Sequence, residues 1–325
     1  MVKREMMSMI IRRGTLLIMF LLLVLTILAI DLPFEKVYNL RRLTDFPVLL
    51  PEGVGFQSKA TFNPAAIKVN DEILLFYRAE DWTGYNAWNG TSSIGLARST
   101  DGLNFTKEPD PIIKPELPYE IPGGCEDPRI VEIDGLYILT YTAYDGNQAR
   151  LCLAYSSDLK EWVKVGPIIK NFRWSKSGAI VPKKINGKYY MYFGDSQIYL
   201  ATSKDLKSWN VNPYPVLRPR PDKFDARLVE PGPPPLITSE GILLFYNSAD
   251  YSGIYRVGAA LFDAEKPSRL LKRTDTPLLE PELSWEKYGQ VPNVVFVEGA
   301  VEHQGKLLLY YGAADVYVGV AAIDL

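Results

Sequence analysis

The sequence predicts an all-β chain folded as a five-bladed β-propeller, and three observations lead to this fold class. A unit of roughly 50 to 65 residues recurs five times from Phe62 onward. Each copy contains short segments rich in β-forming residues and bounded by turn signals, such as Asn186-Gly187. No long segment with helical periodicity competes with them between Phe62 and Leu325. Four short strands per repeat at this period are typical of propeller blades.

The second and third strands of each repeat are the easiest to recognise. The second strand is short and apolar and ends in aspartate, and its five copies are residues 74–81, 138–145, 190–195, 243–250 and 308–315. The third strand repeats as residues 95–99, 152–156 and 199–203, with degenerate copies at 258–261 and 319–322. These two segments predict a hairpin-connected pair of strands in every blade.

A proline-flanked segment is predicted to form the outer strand of each blade. Its copies are residues 111–115, 167–170, 215–219 and 277–281. Proline suits an edge strand, where a missing N–H donor does no harm. The fifth copy is absent from the C-terminus and stands near the start, at residues 47–51. We therefore expect an N-terminal strand to complete the last blade and close the ring.

The first thirty residues differ from the rest of the chain. Basic residues within the first 13 positions precede an apolar run at 16–30, whose length is at the short end for a membrane-spanning helix. The charge distribution places the N-terminus in the cytoplasm. The predicted organisation is a cytoplasmic tip and transmembrane signal-anchor in 1–31, a linker and closing strand in 32–61, and an extracytoplasmic catalytic propeller in 62–325. A cleaved signal peptide is the alternative, but no small-x-small site precedes Asp31.

Composition excludes several classes of function. The formal net charge of −2, without a long basic run, argues against binding nucleic acid. The two cysteines, Cys125 and Cys152, form no disulfide framework or CxxC metal pattern. The single histidine, His303, lies in a predicted hairpin, which argues against Ser-His-Asp chemistry and histidine-rich metal sites. No metal or other cofactor is predicted.

Propeller geometry places polar residues on one rim. The starts of the first strands and the ends of the second strands share a face of the ring. The first set contains Asn63, Asp127, Lys176, Glu230 and Asn293, and the second contains Asp81, Asp145, Asp195, Asp250 and Asp315. We expect about half of the aspartates to cap turns with local hydrogen bonds. Carboxylate pairs around an axial cavity are otherwise the equipment of glycoside cleavage.

The stretch 123–130 is the strongest single candidate on this rim. Two glycines allow a sharp bend before a strand, and the carboxylates of Glu126 and Asp127 follow. Pro128 is expected to hold Asp127 in an extended conformation, with Arg129 two residues on. An acid so placed suits acid catalysis on a polar substrate, and a structural Asp–Arg ion pair is the alternative. Aromatic residues of nearby loops either stack on sugar rings or pack those loops, and they are Trp82, Tyr85, Trp88 and Trp174.

From residue 46 to the C-terminus the chain resembles glycoside hydrolase family 130, the β-mannoside phosphorylases and β-mannosidases. The motifs are Phe62-Asn63-Pro64-Ala65, Gly124-Cys125-Glu126-Asp127-Pro128-Arg129, Gly232-Pro233-Pro234-Pro235, Val291-Pro292-Asn293-Val294-Val295-Phe296 and Tyr310-Tyr311-Gly312-Ala313-Ala314-Asp315. The resemblance implies that Asp127 is the general acid of an inverting reaction and passes its proton through a mannose hydroxyl. It also implies that Asn63, Asp81 and Asp315 hold the mannosyl unit. Further predicted substrate ligands are Arg78, Trp88, Lys176, Asp250 and Asn293.

The sequence departs from the family pattern at residues that would bind the attacking phosphate. Phosphorylases of the family bind phosphate with a basic cluster, of which Lys176 is kept. The other cations are replaced by Gly194, Leu228 and Asn247, and the carboxylate of Glu230 stands nearby. Loss of cations would leave a dianion poorly neutralised, whereas a carboxylate could deprotonate water.

The sequence therefore predicts a membrane-anchored inverting β-mannosidase, with Glu230 as base and a β-mannoside glycan as partner. Three alternatives stay open. The first is a β-1,4- or β-1,2-mannoside phosphorylase that uses Lys176 with Arg150 or Arg227. The second is a non-catalytic glycan-binding propeller, and the third is an arabinanase-like glycosidase.

Overall fold

The computed structural model describes residues 29–83 and 90–325. Regular structure in these ranges is β throughout, apart from a 3₁₀ helix at Phe34–Asn39 and the one-turn helix α1 at Ser284–Lys287. The strands form five antiparallel blades that follow one another along the chain.

The first two blades have the longest inner strands. Blade 1 contains β2 (Ala60–Val69), β3 (Glu72–Glu80), β4 (Ser92–Ser99) and β5 (Thr106–Lys107). Blade 2 contains β6 (Gly124–Ile133), β7 (Leu136–Tyr144), β8 (Ala149–Ser156) and β9 (Val163–Pro167).

Blades 3 and 4 depart from this pattern in different ways. Blade 3 has shorter strands, which are β10 (Ala179–Ile180), β11 (Tyr189–Phe193), β12 (Tyr199–Ser203) and β13 (Trp209–Val211). In blade 4 the first strand is divided into two pieces that both pair with the second strand. Blade 4 contains β14 (Leu228–Pro231), β15 (Leu236–Thr238), β16 (Gly241–Ala249), β17 (Tyr255–Phe262) and β18 (Leu270–Arg273).

Blade 5 joins the two ends of the described chain. Its C-terminal strands are β19 (Val295–His303), β20 (Lys306–Ala313) and β21 (Tyr317–Asp324), and its outer strand is the N-terminal β1 (Arg41–Arg42). Arg41 and Arg42 pair with Ala322 and Ala321 of β21. The predicted closure of the last blade by the N-terminal segment is confirmed.

Backbone and side-chain hydrogen bonds connect every pair of neighbouring blades. Blade 5 reaches blade 1 through the Thr61 N–H, which donates to the Val316 carbonyl at 2.9 Å. The other four contacts are Ser92 N to Gly123 O, Thr140 Oγ1 to Gly178 O, Val229 N to Ser196 O and Tyr255 N to Asn293 O. The five blades therefore form a ring with the first strands innermost.

The predicted outer strands lie one segment too far along the chain. The ladders are formed upstream, by β5, β9, β13, β18 and β1, and the proline-flanked segments share with them only Pro167, the last residue of β9. Those segments bridge the third strand through one residue, as Ile113 does with Ile94 and Leu49 with Val318. Flanking prolines have no N–H with which to continue a ladder, which explains the single bridge.

The part of the fold prediction that placed a transmembrane helix before the propeller is wrong. Within residues 29–83 and 90–325, no helix has the length and apolar character needed to cross a membrane. Most of the predicted span, 16–30, lies outside the described residues.

Three blades contain a buried cluster that joins the incoming crossover to the blade it enters. In blade 2, the Tyr141 hydroxyl and the Lys164 ammonium both donate to the carboxylate of Glu120, each at 2.8 Å. The equivalent groups are Tyr246, Arg273 and Asp225 in blade 4, and Tyr311, Arg42 and Glu286 in blade 5. All three carboxylates are fully buried. We call these groups crossover clusters.

Each crossover cluster fastens three parts of one blade. The tyrosine lies on the second strand, the cation on the outer strand and the carboxylate on the crossover. Blade 1 has a related arrangement, in which the Tyr77 hydroxyl donates to the amide oxygen of Gln57 at 2.6 Å. In blade 3 the equivalent hydroxyl, of Tyr192, donates to the Pro267 carbonyl instead.

Candidate active site

A cavity of 340 Å³ opens where the inner strands of the blades begin. We call it the central cavity. Its polar wall consists of Asn63, Arg78, Glu126, Asp127, Lys176, Glu230 and Asp315. Its aromatic and apolar wall consists of Tyr144, Ala149, Trp174, Tyr255, Val291, Val294 and Phe296.

Two matching bulges aim the side chains of Asn63 and Asp127 into the central cavity. The register of each inner strand shifts at these residues, between Phe62 and Ala65 in β2 and at the equivalent point of β6. Both residues have a positive φ, of 47° and 48°. A bulge re-aims a side chain and a positive φ is costly for a residue with a Cβ, so the surrounding sheet imposes this geometry. The prediction that proline would hold Asp127 extended is wrong.

The Asp127 carboxylate is 3% exposed and is held from both sides. Its Oδ1 accepts from Asn63 Nδ2 at 2.9 Å and from Arg78 Nη1 at 3.2 Å. Its Oδ2 lies 3.3 Å from Lys176 Nζ. Blades 1, 2 and 3 therefore meet at one carboxylate.

Arg78 forms ion pairs with two carboxylates besides that of Asp127. Its Nη2 donates to Glu80 at 2.7 Å and to Glu126 at 3.1 Å, and its guanidinium lies 4.7 Å from the centre of the Phe62 ring. Its Nε also donates to Ser92 Oγ at 2.9 Å, so four of its five N–H groups have partners and Arg78 mainly orients the acidic wall.

The second carboxylate of interest, Glu230, comes from blade 4. Its Oε1 accepts a short hydrogen bond from Ser177 Oγ and lies 3.8 Å from Lys176 Nζ. Since Lys176 is 3.3 Å from Asp127 Oδ2 and 3.8 Å from Glu230 Oε1, these oxygens lie at most 7.1 Å apart. This upper limit is compatible with two carboxylates that flank one glycosidic bond.

The surroundings in the central cavity shift the pKa values of Asp127 and Glu230 in opposite directions. Burial alone would raise the pKa of Asp127, but Lys176, Arg78 and Arg129 together lower that pKa well below its usual range. Burial raises the pKa of Glu230 to about 7, against the opposing effect of Lys176. Asp127 is therefore ionised in the ligand-free cavity, while Glu230 titrates near neutrality.

Burial also raises the pKa values of the remaining acidic groups of the wall. The pKa of Glu126 and that of Asp315 both rise to about 7, although Arg78 opposes the rise in each case. The pKa of the Lys176 ammonium is raised, because Glu230, Asp127 and Glu126 outweigh the effect of its own burial. The acidic wall therefore holds protons at neutral pH that a substrate could use.

Beneath the central cavity, Arg129 ties the two carboxylate-bearing strands together. This side chain is 1% exposed and donates to the main-chain carbonyls of Asp127, Pro231 and Gly232 at 3.0, 2.9 and 3.1 Å. Its Nη2 also lies 3.0 Å from the carboxylate of Glu298 in blade 5. The peptide groups of Asp127 and of the residue after Glu230 are thus fixed to one guanidinium.

Glu298 is fully buried, and apart from the ion pair with Arg129 its carboxylate oxygens have no hydrogen-bond partner among the described residues. Its burial raises its pKa well above the usual range, although Arg129 acts in the opposite direction. Arg129 and Glu298 are 169 positions apart (298 minus 129), so no local pattern in the sequence joins them.

Gly312 makes room for Asn63. A Cβ at this position would lie 1.9 Å from Asn63 Oδ1 and 2.7 Å from its backbone nitrogen. The glycine of the Tyr310–Asp315 motif is thus required by close approach of two inner strands.

The structure brings together six of the ten predicted ligands and catalytic groups on the polar wall of the central cavity. They are Asn63, Arg78, Asp127, Lys176, Glu230 and Asp315. Their roles in binding or catalysis stay predictions.

Three other predicted ligands do not line the central cavity. Asp81 accepts from the backbone N–H groups of Thr83 and Thr91, each at 3.0 Å, and so caps its own loop. Asp250 does the same in its turn and pairs with Arg256 at 2.7 Å.

Asn293 has a φ of 60°, and its carbonyl accepts a hydrogen bond from the Tyr255 N–H of blade 4. Trp88, with Tyr85, lies outside the described residues.

Sequence reasoning missed several residues of the wall. Glu126 precedes Asp127 in the motif and was not assigned a role. The ring of Tyr144 contacts that of Trp174 edge-on at 6.1 Å, and Tyr255 faces Phe296 at 6.3 Å. The signal that could have identified Tyr144 and Tyr255 is position, because they stand at the rim ends of a second and a third strand.

No group of three or more histidine, cysteine, aspartate or glutamate residues is arranged to hold a metal ion in the described ranges.

Comparison with known proteins gives consistent matches over this whole region. The family model described as beta-1,4-mannooligosaccharide phosphorylase of the Glyco_hydro_130 family matches residues 39–325. A 1,2-beta-oligomannan phosphorylase of Thermoanaerobacter sp. (strain X514) is 41% identical over 294 residues, covering 88% of this chain and 98% of that protein.

Two solved structures share the fold closely. A putative glycosidase from Bacteroides thetaiotaomicron VPI-5482 has a TM-score of 0.86 at 37% identity, with 91% of this chain and 99% of that chain covered. The other is described as "The GH130 family of mannoside phosphorylases contains glycoside hydrolases that target beta-1,2 mannosidic linkages in Candida mannan". It has a TM-score of 0.85 at 36% identity, with 91% and 97% covered.

Proposed function

The chain belongs to glycoside hydrolase family 130, as its motifs predicted, and on that premise we propose that it hydrolyses β-mannosidic linkages with inversion. The names of its relatives support a β-linked mannoside as the substrate. A β-1,2 linkage has the better support, since both the 41% identical relative and the solved hydrolase-containing group are described with it.

The charge of the central cavity is the observation that supports hydrolysis over phosphorolysis. Among the residues that the structure describes, four carboxylates and two cations line its wall. Lys176 is already paired with Asp127 and Glu230, and Arg78 with three carboxylates. A phosphate dianion would have to displace these ion pairs and approach Glu230, whereas a water molecule would not.

In the proposed reaction, Asp127 supplies the proton and Glu230 activates the water. Glu230 removes a proton from water as its oxygen bonds to the anomeric carbon, and the glycosidic C–O bond breaks. The proton of Asp127 moves to the leaving oxygen, and the family resemblance implies that it passes through a mannose hydroxyl.

The reactive protonation state is a minority form. Lys176 and Arg78 favour ionised Asp127, while burial favours protonated Glu230. When the pair holds one proton, that proton is therefore mostly on Glu230, whereas the reaction needs it on Asp127. A sugar that displaces water from the cavity would weaken the ionised form of Asp127 and favour the reactive state.

Phosphorolysis is the second candidate, and the comparisons favour it over the hydrolysis that the sequence analysis preferred. Curated relatives between 28% and 41% identical are named mannoside phosphorylases. Arg227 offers a cation for phosphate, because it is exposed and lies over the Tyr255 ring at 5.5 Å without an ion pair among the described residues. Arg150 is less available, since Asp145 binds it at 2.6 Å.

Product analysis with and without phosphate tests the proposal. Purified protein is incubated with β-1,2- and β-1,4-mannobiose, and the products are followed by NMR. We expect free α-mannose as the first product, at a rate independent of phosphate. Mannose 1-phosphate formed at a rate that rises with phosphate concentration would contradict hydrolysis and establish the second candidate.

Substitutions distinguish attack by water from attack by phosphate. Glu230→Gln should lower mannose release by about 10²–10⁴-fold, the usual contribution of a positioned base. Glu120→Gln is the matched control, because Glu120 is an equally buried carboxylate bonded to a hydroxyl but remote from the cavity. Under phosphorolysis, Arg227→Ala should instead raise the KM for phosphate.

A further inference from the structure

Positive charge is concentrated in blade 3 and the crossover that leads into it. Residues 168–211 contain eight lysine and arginine residues and two aspartates, a net charge of +6. The rest of the chain contains 28 basic and 36 acidic residues, a net charge of −8. A protein that is nearly neutral overall therefore has one strongly basic sector.

Two adjoining cavities form a groove along the outer edge of this sector. The larger measures 580 Å³ and lies between β13 and the crossover segment 168–173. The smaller measures 270 Å³ and shares Ser208 and Asn210 with it. We call the combined feature the blade 3 groove. It is separate from the central cavity.

The basic residues of the blade 3 groove are four lysines that project into solvent. They are Lys170, Lys188, Lys204 and Lys207. None of the four forms an ion pair within the part of the chain that the structure describes. The one carboxylate of the groove, Asp205, is used by backbone N–H groups of its own turn at 2.9 and 2.8 Å. Four lysines therefore face one carboxylate in the groove, an excess of positive charge.

Aromatic and amide groups form the rest of the wall. The half-buried rings of Phe172 and Tyr199 meet edge-on at 5.1 Å, and Trp209 is fixed by its Nε1–H bond to the Leu206 carbonyl at 2.9 Å. The exposed amides of Asn171 and Asn210 lie beside them. Fixed aromatic faces, amides and cations together suit sugar rings that bear negative groups.

One short segment joins the blade 3 groove to the central cavity. Lys170 and Phe172 line the groove, and Trp174 and Lys176 line the central cavity. A polymer lying in the groove is thus held only a few residues of chain away from the candidate active site.

We propose that the blade 3 groove is an accessory binding site for an acidic polysaccharide, one whose sugars carry carboxylate or phosphate groups. A lipid bilayer is flat and would meet the lysines without reaching the recessed aromatic wall. The groove consists of two adjoining cavities with an aromatic wall, which suits a single flexible chain. The binding does not depend on whether water or phosphate cleaves the linkage in the central cavity.

Affinity electrophoresis of the full chain tests the proposal, with alginate as the acidic polysaccharide and neutral mannan as the reference polymer. We expect alginate to retard the wild-type protein more than neutral mannan does, and added salt to weaken the effect. Lys170→Ala/Lys207→Ala should raise the dissociation constant for alginate about 5- to 10-fold, since each exposed ion pair contributes modestly.

The matched control is Lys68→Ala/Lys266→Ala, which removes two exposed lysines from other blades. Its affinity for alginate should stay within about twofold of wild type, because exposed charges far from the polymer are screened. An equal loss in both double variants would overturn the proposal, since retention would then reflect overall charge.

Two further probes separate the proposal from other polyanion partners. Phosphatidylglycerol vesicles and duplex DNA are tested by co-sedimentation and gel shift under the same salt conditions. Weaker binding of both than of alginate supports the proposal. Tighter binding of either one that is lost in Lys170→Ala/Lys207→Ala would overturn it in favour of a membrane or nucleic acid. Carrying out the alginate measurement in Asp127→Asn keeps the result independent of turnover.

Discussion

Replacing the buried guanidinium of Arg129 should damage stability and activity by separable routes. Arg129→Met removes the partner of Glu298 and all three hydrogen bonds to the carbonyls of blades 2 and 4. Breaking a buried ion pair from one side costs about 3–5 kcal/mol, because the remaining charge is left uncompensated. We expect a loss of this size in the free energy of unfolding at neutral pH.

The loss should depend on pH in a defined direction. The pKa of Glu298 is raised in the folded protein, so the folded state binds more protons than the unfolded state above the normal glutamate pKa. Stability therefore decreases as the pH rises through this range. Arg129→Met removes the group that opposes the rise, and its destabilisation should be smaller in mild acid than in mild alkali.

A second substitution separates the two routes. Arg129→Met/Glu298→Leu removes both charges, and well-packed apolar replacement of a buried pair is often neutral for stability. The unfolding free energy should recover most of its loss. Turnover should stay about 10²-fold below wild type, because the peptide of Asp127 is no longer fixed and a displacement of the acid by about 1 Å has that effect.

Urea unfolding at several pH values and kcat on a β-mannobiose are the measurements. The control is Arg42→Met/Glu286→Leu, a pair with a fully buried carboxylate in the crossover cluster of blade 5. This control should change stability without changing kcat. Wild-type kcat in Arg129→Met/Glu298→Leu would refute a positioning role for Arg129.

Two more predictions follow from the central cavity. In the wild type, kcat/KM should fall as the pH rises above about 7, because Glu230, whose pKa is raised to about 7, then gives up the single proton that the pair must share with Asp127. A profile that stays flat to pH 9, about two units higher, would contradict this. Gly312→Ala should lower kcat/KM by about 10- to 100-fold, since it displaces Asn63 and removes one hydrogen bond to a charged group. The control Gly305→Ala, at an open hairpin with positive φ, should lower only the thermal unfolding midpoint; an unchanged kcat/KM in Gly312→Ala would count against the role of Asn63.

The blades could be predicted from the sequence because each one repeats the same local pattern. Hairpin turns and apolar second strands are encoded by residues close together in the sequence. The transfer of the last outer strand to the N-terminus could be predicted because its copy is absent from the C-terminal repeat and present near the start. The position of that strand was wrong, at 47–51 instead of Arg41–Arg42. Its register depends on Arg42, which binds Glu286 across 244 positions, and such a contact leaves no local signal.

The lining of the central cavity could be predicted where a motif and a rim position agree, as for Asn63 and Asp127. It could not be predicted where two chemically identical aspartates have different surroundings. Asp81 and Asp315 both end a second strand, yet the first caps a loop and the second lines the central cavity. The positive φ of Asp127 was also hidden, because it is imposed by the sheet on both sides and not by the residue itself.

The absence of a crossover cluster in blade 3, among the residues described, has a consequence for motion. Its strands are short, and its Tyr192 hydroxyl is bonded to a carbonyl outside the blade rather than to a buried carboxylate. Local opening follows the weakest cooperative unit, so amide hydrogen exchange should be fastest in the strands of blade 3. Lys176 and Ser177 stand at the start of this blade. Lys176 thus reaches the central cavity from the blade that we expect to exchange fastest, whereas Arg129 beneath the cavity is held by three carbonyls and Glu298.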